Sequence, residues 1–415
     1  MFPRLSLPVL ASLTPSDFSI EILDEYFDTI DFDRNVDLIG ITAMSTQAPR
    51  AYQIADEFRK RDKKVIMGGS HATALPEEAL THVDSVVIGE AEGIWPRVLQ
   101  DFQSSRLMKI YKSAVFPSLE GLPIPRYDLL KEERYRLLKI NFPMQVGRGC
   151  PNRCEFCSVN QFFGHRYRHR PVEEVVGEIK KINKKGIVFV DDNIVGHPPF
   201  AKSLFEQLIP LKIRWAGQIS LNIAKDDELL DLAVRSGCAL MFVGLETLSK
   251  KTFRDMRKTF FNSEEMGELL HKVQKRGILI RASIVFGFDE DAPDVFQKTV
   301  NFLVENKITY TDFNILTPLP ATRILDQFER ENRILDRDWS KYNFKNVVYQ
   351  PKLMTKEELE EGFWRACRNF YSIPSIVKRN FFNYNIASRK KIRIFLSNLY
   401  YKSAVEKKKH TMEGH

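Results

Sequence analysis

The sequence predicts an α/β protein built as two successive strand–helix series followed by a mainly helical C-terminal region. Three observations predict it. Short apolar runs alternate with amphipathic stretches twice along the 415 residues. A stretch with Pro117, Pro123 and Pro125 separates the two series. Beyond about residue 321 the strand pattern stops. The expected division is 1–105, a linker at 106–139, 140–320 and 321–415.

In the first series, residues 37–44 (DLIGITAM) read as a buried strand. Residues 48–60 fit an amphipathic helix with Ala51, Ile54, Ala55 and Phe58 inward. Residues 64–67 form a second strand, 76–81 a short helix opened by Pro76, 84–88 a third strand and 91–103 a further helix. Strands alternating with helices at this spacing imply a parallel sheet, and such sheets bind ligands beyond the C-terminal ends of their strands. Three polar loops fall there: Ser45-Thr46-Gln47, Gly68-Gly69-Ser70-His71 and Gly89-Glu90-Ala91-Glu92.

The second series begins with a strand at 144–146 that enters a cysteine-rich loop. Strands follow at 186–190, 213–216, 240–244, 278–286 and 311–316, with helices at 172–181, 226–236, 263–276 and 293–305. Six such units make an open barrel with its polar residues at the C-terminal strand ends. In the last region, residues 355–371 read as helical, and 380–401 are aromatic and basic.

Composition bounds the function. Apolar residues make up 43% and charged residues 28%, ordinary for a globular protein, and Phe is frequent at 30 residues. No apolar run reaches the eighteen or so residues of a membrane span, and no secretory signal is visible. The five cysteines are odd in number with three close together, which argues against a disulfide scaffold and for a metal in a reducing, cytoplasmic compartment. The net charge of +8 resides in the segment from Lys378 onward; the remaining 377 residues carry 52 basic and 52 acidic side chains. This tail reads either as a solvated end or as a peripheral contact with the inner face of a membrane. A nucleic-acid partner is not expected, because the body has no excess positive charge to form a groove.

GRGCPNRCEFCSVNQ places Cys150, Cys154 and Cys157 within eight residues, directly after a strand. A zinc site needs a fourth ligand, for which His165 and His169 are the candidates, and favours paired CxxC units. Three cysteines around a [4Fe–4S] cubane leave one iron open for a small chelating molecule. This CxxxCxxC, with an aromatic residue before its third cysteine and at the top of the first barrel strand, resembles the radical S-adenosylmethionine (SAM) superfamily over residues 140 to about 320. The resemblance implies that the three cysteines ligate the cluster and that SAM binds its open iron. A one-electron cleavage, fed by a flavodoxin or ferredoxin, then yields a 5′-deoxyadenosyl radical. It also places Phe156 near the adenine and Asp191, Asp192 and Asn193 at the second strand end. Gln218 and Ser220 follow the third strand, Glu246 the fourth, and Arg281, Ser283 and Gly287 belong to the fifth. Asp191 and Asp192 also read as caps of a turn, and Glu246 and Arg281 as an ion pair. Cys238 and Cys367 read as core residues.

VDLIGITAM, VIMGGSHAT and VDSVVIGEAEG resemble the cobalamin-binding domain that precedes the barrel in one subgroup, over residues 5 to about 105. The resemblance implies a Rossmann-like, flavodoxin-like sheet whose three polar loops (Ser45, Thr46, Gln47; Gly68, Gly69, Ser70, His71; Gly89, Glu90) meet the corrinoid. His71 lies outside a DxHxxG pattern and is not expected to ligate cobalt. The family's first strand is not seen before the helix at 4–13. In flavodoxin-like order that strand is central, so its loss is expected to expose two inner edges. NVVYQPKLMTKEELEEGFWRACRNFYS resembles the tail of the branch that includes hopanoid methylases. Together these imply a cobalamin-dependent radical SAM methyltransferase acting on an unactivated carbon of an apolar small molecule, such as a lipid, terpenoid or tetrapyrrole. The alternative is a radical SAM cyclase, C–C bond-forming, rearranging or oxidative enzyme with a vestigial cobalamin domain.

Overall fold

The computed structural model describes residues 4–130, 142–255, 262–381, 383 and 388–410. The expected boundary at 139/140 and the last five residues of the tail lie outside them.

The first sheet is β1 (Leu38–Thr42), β2 (Lys64–Gly68), β3 (Ser85–Ile88) and β4 (Ile110–Lys112), all parallel and in sequential order. Alternation in β2 explains its two covered faces. Val65 and Met67 pack with Ala51, Ala55 and Phe58 of the helix Ala48–Arg59. Ile66 points the other way, into Val98 and Leu99 of the helix Trp95–Gln103 and Leu10 of the helix Ser6–Leu13. Trp95 Nε1 donates to Thr14 Oγ1 at 2.9 Å, tying these two helices together.

Two expectations are corrected here. The sheet has no internal gap: β1 pairs directly with β2 in register Leu38↔Lys64 to Thr42↔Gly68. Among the described residues the open positions are therefore outer edges, those of β1 and β4, and the five residues of β1 are all half-buried or exposed. The first unit also does not end at residue 105, because β4 pairs with β3 from within the expected linker.

The second series opens with β5 (Phe142–Met144), followed by a two-stranded ribbon of β6 (Gly147–Arg148) and β7 (Arg168–His169). Then come β8 (Gly186–Phe189), β9 (Arg214–Gln218), β10 (Cys238–Glu246), β11 (Leu279–Phe286) and β12 (Tyr310–Ile315). The second sheet runs β12-β11-β10-β9-β8-β5, all parallel. β5 and β12 each have one strand partner among the described residues, so this is an open, partial barrel. The crossover helices carry their own start and stop signals. The helix Val172–Ile182 has Glu173 and Glu174 in its first turn, Lys180 and Lys181 in its last, and a left-handed Asn183 after it. In the helix Ser263–Lys275, Asn262 accepts from Glu265 N at the start.

The C-terminal region is part of the barrel's core, contributing Phe363, Phe370, Tyr371, Tyr401 and Val405 to it. It is also what covers the free edge of β12. Tyr371 Oη donates to Thr311 O (2.8 Å), His410 Nε2 lies 2.7 Å from Phe313 O, and Ile315 N donates to Phe344 O (2.7 Å). Buried Arg379 donates to Ile308 O and Thr309 O just below the strand. An edge strand left bare would template further pairing; here side chains and one loop carbonyl satisfy it. The helix Lys356–Phe370 that anchors this cover begins with a Thr355–Glu358 capping box.

Candidate active site

The cysteine loop is held from both sides before any ligand is considered. The antiparallel pair β6–β7 forms the neck from which the loop springs. Gly149 follows with φ +88°; a Cβ there meets Arg166 O at 2.4 Å, so only glycine lets the two backbones pass. Cys150, Cys154 and Cys157 are half-buried, and Cys157 N donates to Cys154 O at 3.2 Å. Burial pushes the Cys157 thiol up to about 12, and Cys154, Asp192 and Cys150 act in the same direction. Such a thiol gives up its proton to a metal rather than to water. Among the described residues no three His, Cys, Asp or Glu side chains converge on one metal-ion position. A cubane asks instead for thiolates on three different irons, so this donor set fits a cluster.

The second strand end divides its labour. Asp191 is buried, and its carboxylate accepts from Val146 N, from Gly147 N (2.5 Å) and from Tyr167 Oη (3.2 Å). It fastens the strand that feeds the cysteine loop, and burial holds it up at about 7. Asp192 is raised to about 6, again by burial; its Oδ2 is buried with no hydrogen-bond partner among the described residues. That carboxylate oxygen beside the thiols fits a cationic N–H donor such as the amino group of SAM. Asn193 Oδ1 accepts from Ser220 N at 3.1 Å, locking the ends of β8 and β9 together beside Gln218.

Glu246 ends β10 in the left-handed region, φ 65°, where β10 and β11 slip register between Gly244 and Glu246. A non-glycine residue held there marks stored strain at the barrel mouth. Gly287 ends β11 with φ +100°; its N–H donates to Asp291 and its carbonyl accepts from Tyr349 Oη at 2.5 Å. Phe288 meets Phe156 of the cysteine loop edge-on, with centroids 6.0 Å apart. The structure thus gathers Phe156, Asp192, Asn193, Gln218, Ser220, Glu246 and Gly287 at one end of the barrel. Ser283 lies deeper, accepting from Asn314 at 3.2 Å.

Arg281 departs from expectation. It sits near the N-terminal end of β11 and makes a bidentate pair with Asp312 of β12, 2.6 Å on each arm, while donating to Tyr401 at 2.9 Å. Its partner is not Glu246, and its guanidinium is spent away from the strand ends. Arg281→Met should therefore lower folding stability by about 3–5 kcal/mol, the range for breaking a buried pair, with SAM affinity unchanged. Equilibrium dialysis beside urea denaturation decides: a tenfold loss of SAM affinity at unchanged stability would return Arg281 to the site.

The polar loops of the first sheet follow the C-terminal ends of β1, β2 and β3. Gly69 (φ +91°) packs so closely on Thr42 and Ala43 that a side chain is excluded. Gly89 (φ +79°) faces open space, and a Cβ there would meet nothing within 4 Å. That opening, with Ser45-Thr46-Gln47 and Gly68 to Ser70 on neighbouring strand ends, fits a bulky planar group lying against backbone. His71 is fully buried: Nε2 contacts Tyr52 Oη (2.9 Å) and Glu78 Oε1 (3.1 Å). Burial pulls its pKa below the usual value against the pull of Glu78. Glu78 also accepts from Trp339 Nε1 at 3.1 Å, so the C-terminal region reaches back to this face.

Sequence reasoning missed what joins the two halves. Glu90 and Glu92, with side chains 2% and 7% exposed, turn toward the cysteine loop. Arg148 pairs with both at 2.5 Å, and Arg168 pairs with Glu90. The Glu90 carboxylate, expected at the corrinoid, is taken up by this ionic joint. Arg148 and Arg168 are the two residues of the β6–β7 neck that face each other in register.

Comparison with known proteins identifies the family of each half. Residues 9–99 match the family model of the B12 binding domain, and residues 144–303 that of the Radical SAM superfamily. The bacteriochlorophyllide d C-12(1)-methyltransferase of Chlorobaculum tepidum is 31% identical over 90% of this chain and 84% of its own length. The C-8(2)-methyltransferase of the same organism is 32% identical over 92% and 88%. The hopanoid C-2 methylase of Rhodopseudomonas palustris is 25% identical over 93% and 74%. In fold, the chain is similar to the radical S-adenosylmethionine methyltransferase TsrM from Kitasatospora setae, with a TM-score of 0.71, 16% identity and 96% of each chain covered. With both family models matched and relatives above 30% identity along most of its length, the chain belongs to the cobalamin-binding radical SAM enzymes, whose cofactors are a [4Fe–4S] cluster, SAM and cobalamin.

Proposed function

We propose that the protein is a C-methyltransferase that places a methyl group on an unactivated carbon of an apolar small molecule. The observation that carries this reading is the buried Glu90–Arg148–Arg168–Glu92 joint, which ties the corrinoid-side loop to the neck of the cysteine loop. A methylase needs its methyl carrier and its radical source against the same substrate; a vestigial first domain has no need of a buried ionic tie to the cluster loop.

When bound, the cluster and SAM supply a hydrogen-abstracting radical, and the corrinoid supplies the methyl group. The chain's own residues do the placing. Cys150, Cys154 and Cys157 hold the cluster, with Asp191 fixing the strand before them. Asp192 offers its buried oxygen to the SAM amino group. Phe156, Asn193, Gln218, Ser220, Glu246, Ser283 and Gly287 line the SAM side, and the loops at 45–47, 68–71 and 89 line the corrinoid side. Among apolar acceptors we favour a tetrapyrrole over the hopanoid-type lipid, because the two bacteriochlorophyllide methyltransferases match at higher identity than the hopanoid methylase. A flavodoxin or ferredoxin serves as the electron donor.

Product analysis tests the proposal. Anaerobically reconstituted protein with cobalamin, SAM, a reductant and a chlorin substrate should give a methylated product, with S-adenosylhomocysteine and 5′-deoxyadenosine appearing in step. Turnover of substrate with 5′-deoxyadenosine alone would instead assign a cyclising, rearranging or oxidising reaction without methyl transfer.

A further inference from the structure

We infer that the helix Ser388–Glu406 docks the protein onto an anionic lipid surface. One side of this helix is committed to the barrel. Ile394, Asn398, Tyr401 and Val405 are buried, Arg379 donates to Asn398 Oδ1 at 3.2 Å, and Tyr401 accepts from Arg281. At about 100° per residue, Ile392, Leu396 and Tyr400 stand on successive turns of the opposite side. They are 65%, 59% and 51% exposed. Phe381, 43% exposed, lies alongside, its ring 5.6 Å from that of Phe395. Scattered apolar residues on a surface are ordinary. A helix apolar on both its faces is a buried one, and here, among the described residues, one face alone is covered by the protein.

Charge selects the occupant. Arg393 is exposed beside Ile392 at one end of the stripe, with half-exposed Lys390 and Lys391 before it, Lys391 Nζ donating to Phe381 O at 2.9 Å; Lys402 and exposed Lys407 to Lys409 stand at the other. The helix has one acid, Glu406, paired with Lys402. The chain before Lys378 balances at 52 basic against 52 acidic residues, so the net charge of +8 resides in the segment from Lys378 onward, to which this helix contributes five basic residues against one acid. An anionic bilayer matches both features together, since apolar side chains enter the headgroup–acyl boundary while lysines and arginines meet phosphates. A nucleic acid matches only the charge, and a second copy of the same basic stripe repels it. Among the described residues no helix is long and apolar enough to cross a membrane, so the contact is peripheral.

Flotation of the full-length protein with vesicles of equal parts phosphatidylglycerol and phosphatidylcholine tests this. Binding should be strong at low salt, weaker by about tenfold or more at high salt, and absent with pure phosphatidylcholine. Ile392→Asp/Leu396→Asp, which alters only exposed positions, should reduce binding by about tenfold or more, as should Lys390→Glu/Lys391→Glu/Arg393→Glu. Circular dichroism melts of each variant should match the parent. The inference is overturned by failure of the parent to float, by equal binding to both vesicle types, or by an aspartate variant that binds undiminished. A dimer broken by Leu396→Asp in a parent that ignores vesicles would assign the stripe to a second copy instead.

Discussion

Cys154→Ala protein, reconstituted anaerobically with iron and sulfide, should lack the broad visible absorption of a [4Fe–4S] cluster and convert no SAM to 5′-deoxyadenosine. The argument is one of donor count. The three thiols sit on one loop between Gly149 and the helix Val159–Phe163, and the other two cysteines cannot replace a lost ligand. Cys238 and Cys367 are buried in the barrel core, and burial pushes both thiols up, with Asp312 acting the same way on Cys367. Cys238→Ala and Cys367→Ala should therefore retain the cluster and its SAM cleavage, at a stability cost of about 1–2 kcal/mol for a small core truncation. The absorption spectrum, the iron content and the 5′-deoxyadenosine yield are read on all three variants. A Cys154→Ala protein that still cleaves SAM would remove the cluster from this loop.

The order of strands and helices, both parallel sheets and the three thiols are legible in the sequence because each leaves a local trace. A strand buried on both faces reads as a short apolar run such as VIM at 65–67, and a helix carries periodicity and caps. The misplaced features depend on pairing between distant segments. Ile110–Lys112 is too short and polar to announce itself, and becomes a strand only because β3 offers it an edge. A missing central strand follows from an expected order, whereas the direct β1–β2 pairing leaves the openings at outer edges. Arg281 and Asp312 lie on the same face of adjacent strands, two residues apart in register, since Arg281 aligns with Tyr310 and Ser283 with Asp312. Opposite charges in IRASIVF and YTDFNIL are a visible signal once those strands are taken as neighbours. Glu90 gives a misleading signal: a polar residue at a strand end reads as a ligand contact, and nothing local distinguishes it from one that faces another domain.

Glu90→Gln should uncouple the two halves of the site while leaving the cluster in place. Glu90 is the shared partner of Arg148 and Arg168, and without its charge Arg148 keeps Glu92 and Gln145 while Arg168, among the described residues, keeps the carbonyls of Pro117 and Phe163 and the face of the Phe116 ring, none of them an anion. Breaking a buried pair by removing one partner costs about 3–5 kcal/mol, much of it from the charge left behind. Here that cost falls on the interface, because the acid and the bases belong to different sheets. Iron content and SAM affinity should stay near parental values, since Cys150, Cys154, Cys157 and Asp192 are untouched. The products should change instead: S-adenosylhomocysteine should fall well below parity with 5′-deoxyadenosine, because hydrogen abstraction continues while the methyl-bearing face is no longer held against the substrate. Limited proteolysis between residues 104 and 130 should accelerate for the same reason. Arg168→Gln should repeat the pattern, and in a double-mutant cycle the two substitutions should be strongly non-additive. Parity of the two products in Glu90→Gln, with unchanged proteolysis, would mean that the ionic joint does not set the distance between the two halves. The reading of the first sheet as an active methyl-carrier platform would then lose the observation on which it stands.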